Sequence, residues 1–201
     1  MDIDPLETIE ELEEDSREHK KNARLNAMVA ISVAILATFM GICNVKDDNI
    51  VQGMQQAQAD KIDYWSFYQA RNIREEIALA SLEQLKLAKA ARPEAEHPAY
   101  DAALAKYEAL ATGQHTKKEE LKTQAEDAQK MYDKLNYRDD QFDLADASIA
   151  IAIALLAVTA LTHVWWLFWL ACVPGVFGLV MGVAGLFALP FHPDFLIHPL
   201  T

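Results

Sequence analysis

Cysteine is nearly absent. Cys43 and Cys172 are the only two in 201 residues, too few for a disulfide framework or a four-thiolate zinc site. Both sit inside apolar runs, where a thiol behaves as a small buried hydrophobe. Basic charge is scarce as well: eighteen Lys and Arg stand against thirty Asp and Glu. So acidic a balance argues against nucleic acid as a partner, which would need an extended basic face to neutralise phosphates. Helix breakers are missing over long stretches. No proline occurs between Pro5 and Pro93, and Gly41 and Gly53 are the only glycines before Gly113. Glycine-rich phosphate loops, nucleophile elbows and zinc-helix motifs do not occur. The chain therefore reads as a non-enzyme without a cofactor.

What is present is segregated. The mean hydropathy of −0.02 hides three uncharged runs. Residues 25–43 form the first, and 19 residues make roughly 28 Å of helix, close to the hydrocarbon thickness of a bilayer. Residues 147–162 form the second and 164–191 the third. The third opens on Trp165, Trp166, Phe168 and Trp169, an interfacial aromatic belt, and Pro174 is expected to kink it. The repeat Ile149-Ala150-Ile151-Ala152 also fits a strand, but an open strand in lipid leaves backbone groups unpaired. The first run lies behind 24 polar residues with no convincing cleavage site after it, so it reads as a retained anchor. The tail 1–24 holds nine acids and a basic juxtamembrane collar of Arg17, Lys20, Lys21 and Arg24.

Residues 44–146 are the only sizeable aqueous segment, with 14 basic and 20 acidic residues dominated by helix formers. The breakers cluster at 92–98, with a second break expected at Thr112-Gly113. Equal legs of 48 residues on either side predict a long antiparallel helical hairpin, coiled-coil-like, each leg reaching roughly 70 Å. On the outgoing leg Ile50, Met54, Ala57, Tyr64 and Tyr68 form the core stripe, interrupted at Lys61. Ile73, Ile77 and Ala80 continue it on a shifted line, followed by Leu82 and Leu85. On the return leg Tyr100, Leu104, Tyr107 and Ala111 repeat it, then Leu121, Ala125, Ala128, Tyr132, Leu135 and Phe142. Tyr64, Trp65, Phe67 and Tyr68 are too many for one partner helix, so some are assigned to another subunit.

In lipid, small residues mark contact faces. Ala30, Ala34, Ala37 and Gly41 form such a stripe in the first span, and Ala150, Ala154 and Ala157 in the second. The two are expected to pack on each other within one chain. Gly175, Gly178, Gly182 and Gly185 in the third span are then left for a second subunit, which predicts a homo-oligomer or a subunit of a membrane complex.

The basic collar keeps the N-terminus cytoplasmic by the positive-inside rule, which puts the hairpin outside. No ionisable residue lies inside a span, which counts against a pump or secondary transporter. Asp47 and Asp48 leave the first span while Asp139, Asp140, Asp143 and Asp146 enter the second. These six carboxylates are the candidates for a cation site or a channel mouth; the preferred reading is a solvated collar, with Asp146 capping the second span. His192, Asp194 and His198 are read as part of an interfacial tail rather than as metal ligands.

The stretches Ala37–Glu76 and Asn136–Thr162, with Val45-Lys46-Asp47-Asp48-Asn49-Ile50-Val51 and Arg138-Asp139-Asp140-Gln141-Phe142-Asp143 as their most specific parts, resemble a bacterial membrane-protein family described as a domain of unknown function (number 4337). The resemblance extends from about Arg24 onward. It implies three spans and a long intervening helical domain, and no activity.

The fold expected is an all-α integral membrane protein of a bacterial inner membrane, with three transmembrane helices. The function expected is a scaffold or accessory subunit that self-associates or braces a larger complex through its hairpin and glycine face. A homo-oligomeric cation channel is the alternative, and an envelope or stress sensor a third reading.

Overall fold

A computed structural model describes residues 5–191, and of residues 5–12 and 14 the backbone alone. The N-terminal half of the acidic tail lies outside the described side chains, and His192, Asp194 and His198 lie outside the described residues. The element order is α1 (Pro5–Ala90), a short 3-10 turn (Glu94–Glu96), α2 (His97–Thr162) and α3 (Trp165–Phe187). No strand occurs among the described residues. Each long helix contains a stretch long and apolar enough to cross a membrane.

Composition explains the lengths. Helix α1 begins with Pro5 at its first position, where the missing N–H is no loss, and meets no further proline until Pro93, just beyond its end. Helix α2 does not break at Gly113 as expected; it runs unbroken from His97 to Thr162. One glycine costs a helix about 1 kcal/mol, and here Ala111 and Gln114 on either side are buried and hold the segment. Helix α3 runs through Pro174 and ends at Ala188, which is left-handed (φ 52°) and closes the helix with Leu189 N–H donating to the Ala184 carbonyl at 2.9 Å. His163 takes the same conformation (φ 55°) between α2 and α3.

The chain divides into two compact units, residues 1–51 with 136–201, and residues 52–135. In the first, Leu25, Val29 and Leu36 of α1 pack with Ile149, Ala152 and Leu156 of α2 and with Phe168 and Ala171 of α3. The α3 glycines face this core. A Cβ on Gly175 would meet Leu36 and Ala152 at 3.5 Å. On Gly178 it would lie 2.7 Å from Ile149 Cγ1 and 2.9 Å from the Ala145 carbonyl oxygen. On Gly182 it would enter the Phe39 ring and crowd Cys43, and on Gly185 it would meet Phe142.

This reverses the expected assignment of faces. Ala30, Ala34, Ala37 and Gly41 are exposed, with nothing within 4 Å of a Cβ on Gly41. Ala150, Ala154 and Ala157 are exposed too. The alanine stripes do not pack on each other; the glycine face is spent inside the chain. The reason is shape. Branched and aromatic side chains of α1 and α2 fill the grooves that the glycines open, and that buries more surface than alanine against alanine.

In the second unit Ala78, Leu82 and Ala111 form a buried cluster, with Leu104 and Tyr107 against it. Ala57 and Ala125 are buried and Tyr64, Tyr68, Tyr100, Leu121 and Tyr132 partly so, as their spacing predicts. Ile73, Ile77 and Ala80 are not core: all three are exposed. The inward positions beside them belong to Arg71, Glu75 and Ala78.

Candidate functional site

The six aspartates, all in the first unit, separate into different environments. Asp48 and Asp143 are exposed, while Asp47, Asp139, Asp140 and Asp146 are partly buried. The Asn44 amide, oriented to satisfy both groups, donates to the Met40 carbonyl at 3.1 Å and to Asp146 Oδ1 at 3.2 Å. Asn136 Nδ2 donates to Asp140 Oδ2 at 3.4 Å. Asp47 and Asp139 face each other across α1 and α2. Burial, then the adjoining Asp139 carboxylate, pushes Asp47 up to about 7; burial also raises Asp139. Among the described residues no group of three or more His, Cys, Asp or Glu is placed to hold a metal ion. Asp47 and Asp139 are thus adjoining carboxylates whose protonated forms are both favoured by burial.

That pair makes stability depend on pH with a definite sign. The folded chain keeps a proton on Asp47 that the unfolded chain, titrating near 3.8, has already lost. Stability from this group therefore falls as pH rises from about 4 to about 7 and is level above that. Melting in detergent at pH 5 and pH 8 is expected to show wild type less stable at pH 8. In Asp47→Asn the difference shrinks; an unchanged difference would refute the assignment.

On the same stretch of α2, side chains interleaved with these aspartates reach the end of α3. Arg138 Nε and Nη2 donate to the Gly185 carbonyl at 3.2 and 2.8 Å. Fully buried Gln141 donates to the carbonyls of Leu189 and Phe191 at 2.9 and 2.6 Å. These two side chains tie carbonyls at and just beyond the end of α3 to α2. Sequence reasoning passed over both, because capping partners 47 to 50 residues away leave no local pattern.

The inner face of the second unit is polar in its middle. Lys61 donates to Gln129, and Arg71 Nη1 donates to Gln114 Oε1 at 3.0 Å. Glu75, a buried residue, meets Lys118 at 2.7 Å and His115 at 2.9 Å. The Lys118 ammonium beside Glu75 holds its carboxyl below the usual carboxylate range. Lys118 also lies 6.0 Å from the Tyr68 ring centroid, and Tyr68 meets Trp65 edge to face at 5.2 Å. Tyr64, Trp65 and Tyr68 thus belong wholly or partly to the interior; Phe67 is the exposed member, at 60%. Lys118→Met strands the Glu75 charge and is expected to lower the melting temperature, as is Glu75→Leu. The Glu75→Leu/Lys118→Met pair recovers most of the loss. Strict additivity in that cycle would show that the two do not interact.

The outward face of α1 in this unit is the feature left without a partner. In steps of three and four from Gln52 come Gln55, Ala59, Ile62, Ser66, Gln69, Ile73, Ile77, Ala80, Gln84 and Leu87. None is charged and every one is exposed. Ile62, Ile73, Ile77 and Leu87 are 57, 59, 60 and 73% exposed. The eleven positions span 35 residues and repeat on average every 3.5, the period of a coiled-coil seam. Ordinary solvated helix faces carry charge, and the rest of this segment does.

Compared with known proteins, residues 25–188 match the family model described as Domain of unknown function (DUF4337). No curated protein and no solved structure matches the chain.

Proposed function

The chain belongs to the DUF4337 family, whose description assigns no activity, and from the geometry we propose a non-enzymatic membrane scaffold that self-associates through the outward face of α1. The three apolar stretches cross a bilayer, the N-terminus stays on the side of the Arg17–Arg24 collar, the cytoplasm of a bacterial inner membrane, and the charged 52–135 segment lies on the other side. Within that segment the two legs run antiparallel. The pairs Lys61–Gln129, Glu75–His115 and Lys89–Asp101 support this, since one number rises as the other falls.

The single observation that carries the reading is the uncharged seam on α1. Roughly 50 Å of helix about 10 Å wide, covered on each of two copies, buries on the order of 1,000 Å², the lower bound for a specific interface. A second copy is the occupant that fits. Gln52, Gln55, Gln69 and Gln84 interrupt the apolar positions, and a buried amide needs a partner that both donates and accepts. In a parallel pair of identical helices each glutamine layer meets its own copy, which also fixes the register. The exposed Ala30, Ala34, Ala37 and Gly41 give α1 a second close-approach face of the kind that pairs helices in lipid.

The test is the particle mass of the full chain in mild detergent, with Ser66→Cys disulfide trapping in membranes. Wild type is expected to run as a dimer or larger and Ser66→Cys to cross-link, while Ile73→Glu/Ile77→Glu runs as a monomer with unchanged helicity. A wild type that is monomeric and carries no co-purifying protein would sink the scaffold reading. A wild-type oligomer indifferent to both changes would sink the seam alone.

A further inference from the structure

The first unit contains a cavity that neither the scaffold nor the aspartates use. It measures about 660 Å³ and is lined by Arg17, Lys20, Lys21 and Arg24 together with Ala27, Met28 and Trp165. The four cations recur at three, one and three residues, which sets them on one side of α1 across two turns. Two residues after Arg24, Asn26 lies 3.3 Å from His163 at the junction of α2 and α3, which brings this part of α1 beside the start of α3. The cavity thus opens beside the point where α1 joins its apolar run at Leu25 and where α3 begins at Trp165.

Its lining is divided in the way a phospholipid is divided. The charged half precedes the apolar run; the apolar half, Ala27, Met28 and Trp165, belongs to the spans. Trp165 is held by an edge-to-face contact with Phe168, centroids 6.4 Å apart, so its indole is a fixed wall. One acid has a described bond to the cluster, Glu13 to Arg17 at 3.4 Å, and both partners are largely exposed. A pair so open in water is worth little, which leaves an excess of positive charge at the depth of the lipid phosphates.

We propose that this cavity binds an anionic phospholipid, its phosphate among Lys20, Lys21 and Arg24 and an acyl chain along Met28 and Trp165. The chemistry suits the lipid and not a free phosphate, because a soluble anion would leave the apolar half uncovered. Basic residues at an anionic leaflet also gain about 1 kcal/mol each, or roughly fivefold in binding per charge. A site of this kind fixes the depth and rotation of α1 by a specific molecule in addition to the general hydrophobic match.

The experiment uses the full chain in a neutral detergent, titrated with phosphatidylglycerol or phosphatidylcholine and read by native mass spectrometry. Phosphatidylglycerol is expected to be retained in preference. Lys20→Gln/Lys21→Gln is expected to weaken its retention roughly fivefold per charge removed. Lys20→Arg/Lys21→Arg keeps it, and Lys117→Gln/Lys122→Gln, the same charge change on exposed residues of the other unit, leaves it unchanged. Equal retention of the two lipids, or a preference that survives Lys20→Gln/Lys21→Gln, would overturn the proposal. Displacement by inorganic phosphate at concentrations comparable to the lipid would reassign the cavity to a soluble anion and overturn it as well. All the substituted lysines are exposed, and helicity by circular dichroism confirms that each variant is folded.

Discussion

Gly178→Val is expected to destabilise the first unit by about 3 kcal/mol, the upper range for forcing extra atoms into a packed core. The reason is what the new side chain meets. A Cβ at this position falls 2.9 Å from the Ala145 carbonyl oxygen and 3.2 Å from the Ile149 amide nitrogen, besides 2.7 Å from Ile149 Cγ1. A side chain can swing aside, but here the obstacle includes the α2 backbone, whose shift would disturb Ile149, Ala152 and the rest of the cluster they anchor. Gly182→Ala makes a useful comparison. Its Cβ would run into the Phe39 ring, and a partly buried ring has somewhere to go, so a smaller loss is expected. Gly41→Val is the control, since nothing lies within 4 Å there; within one chain its effect is within about 0.5 kcal/mol. Thermal melts in detergent give the order Gly178, Gly182, Gly41. A Gly41→Val as damaging as Gly178→Val would mean that the assignment of inner and outer faces is wrong.

The second large effect concerns the end of α3. Arg138→Met removes two charge-assisted hydrogen bonds from the Gly185 carbonyl, and Gln141→Leu removes those to Leu189 and Phe191. A charged hydrogen bond contributes about 1.5 to 3 kcal/mol and a neutral one about 0.5 to 1.5, while the Gly185 and Leu189 carbonyls keep the Ala188 and Phe191 amides as donors. Each variant is expected to lose about 2 kcal/mol, and Arg138→Lys to recover part, since an ammonium cannot reproduce the two-pronged contact. The specific readout is hydrogen exchange at the Ala188 and Leu189 amides, which close the helix onto Gly185 and Ala184. Their exchange is expected to quicken before that of α3's middle. Exchange unchanged at these two amides would show that Arg138 and Gln141 are not what holds the segment.

Apart from the break expected at Gly113, the extent of the helices could be read from the chain because it rests on local matters: the scarcity of proline and glycine before Pro93, the breakers at 92–98, and uncharged runs of bilayer length. The direction in which each face points could not, for two separate reasons. In the spans every face is apolar, so Ala34 and Gly178 look alike as small residues, and only the volumes opposite them decide which is enclosed. In the 52–135 segment the usual rule misleads. The interior holds Arg71, Glu75 and Lys118, paired between α1 and α2, while Ile73 and Ile77 stand in solvent. A polar residue counts as outward until its partner 40 residues away is known. The aspartates were legible as a group but not in their pairing, since the neighbours Asp47 and Asp139 are 92 positions apart.

Only His163 and Val164 separate α2 from α3, and their brevity bears on how the protein is made. A span is normally secured at the bilayer surface by a hydrophilic connector before the next one emerges. Here no such connector exists, and His163 is the only polar side chain in the bend. The short bend folds α3 straight back onto α2, and the α3 glycines receive Ile149 and Phe142. Under the proposed transmembrane reading, the two apolar stretches enter the bilayer together, already fitted to each other.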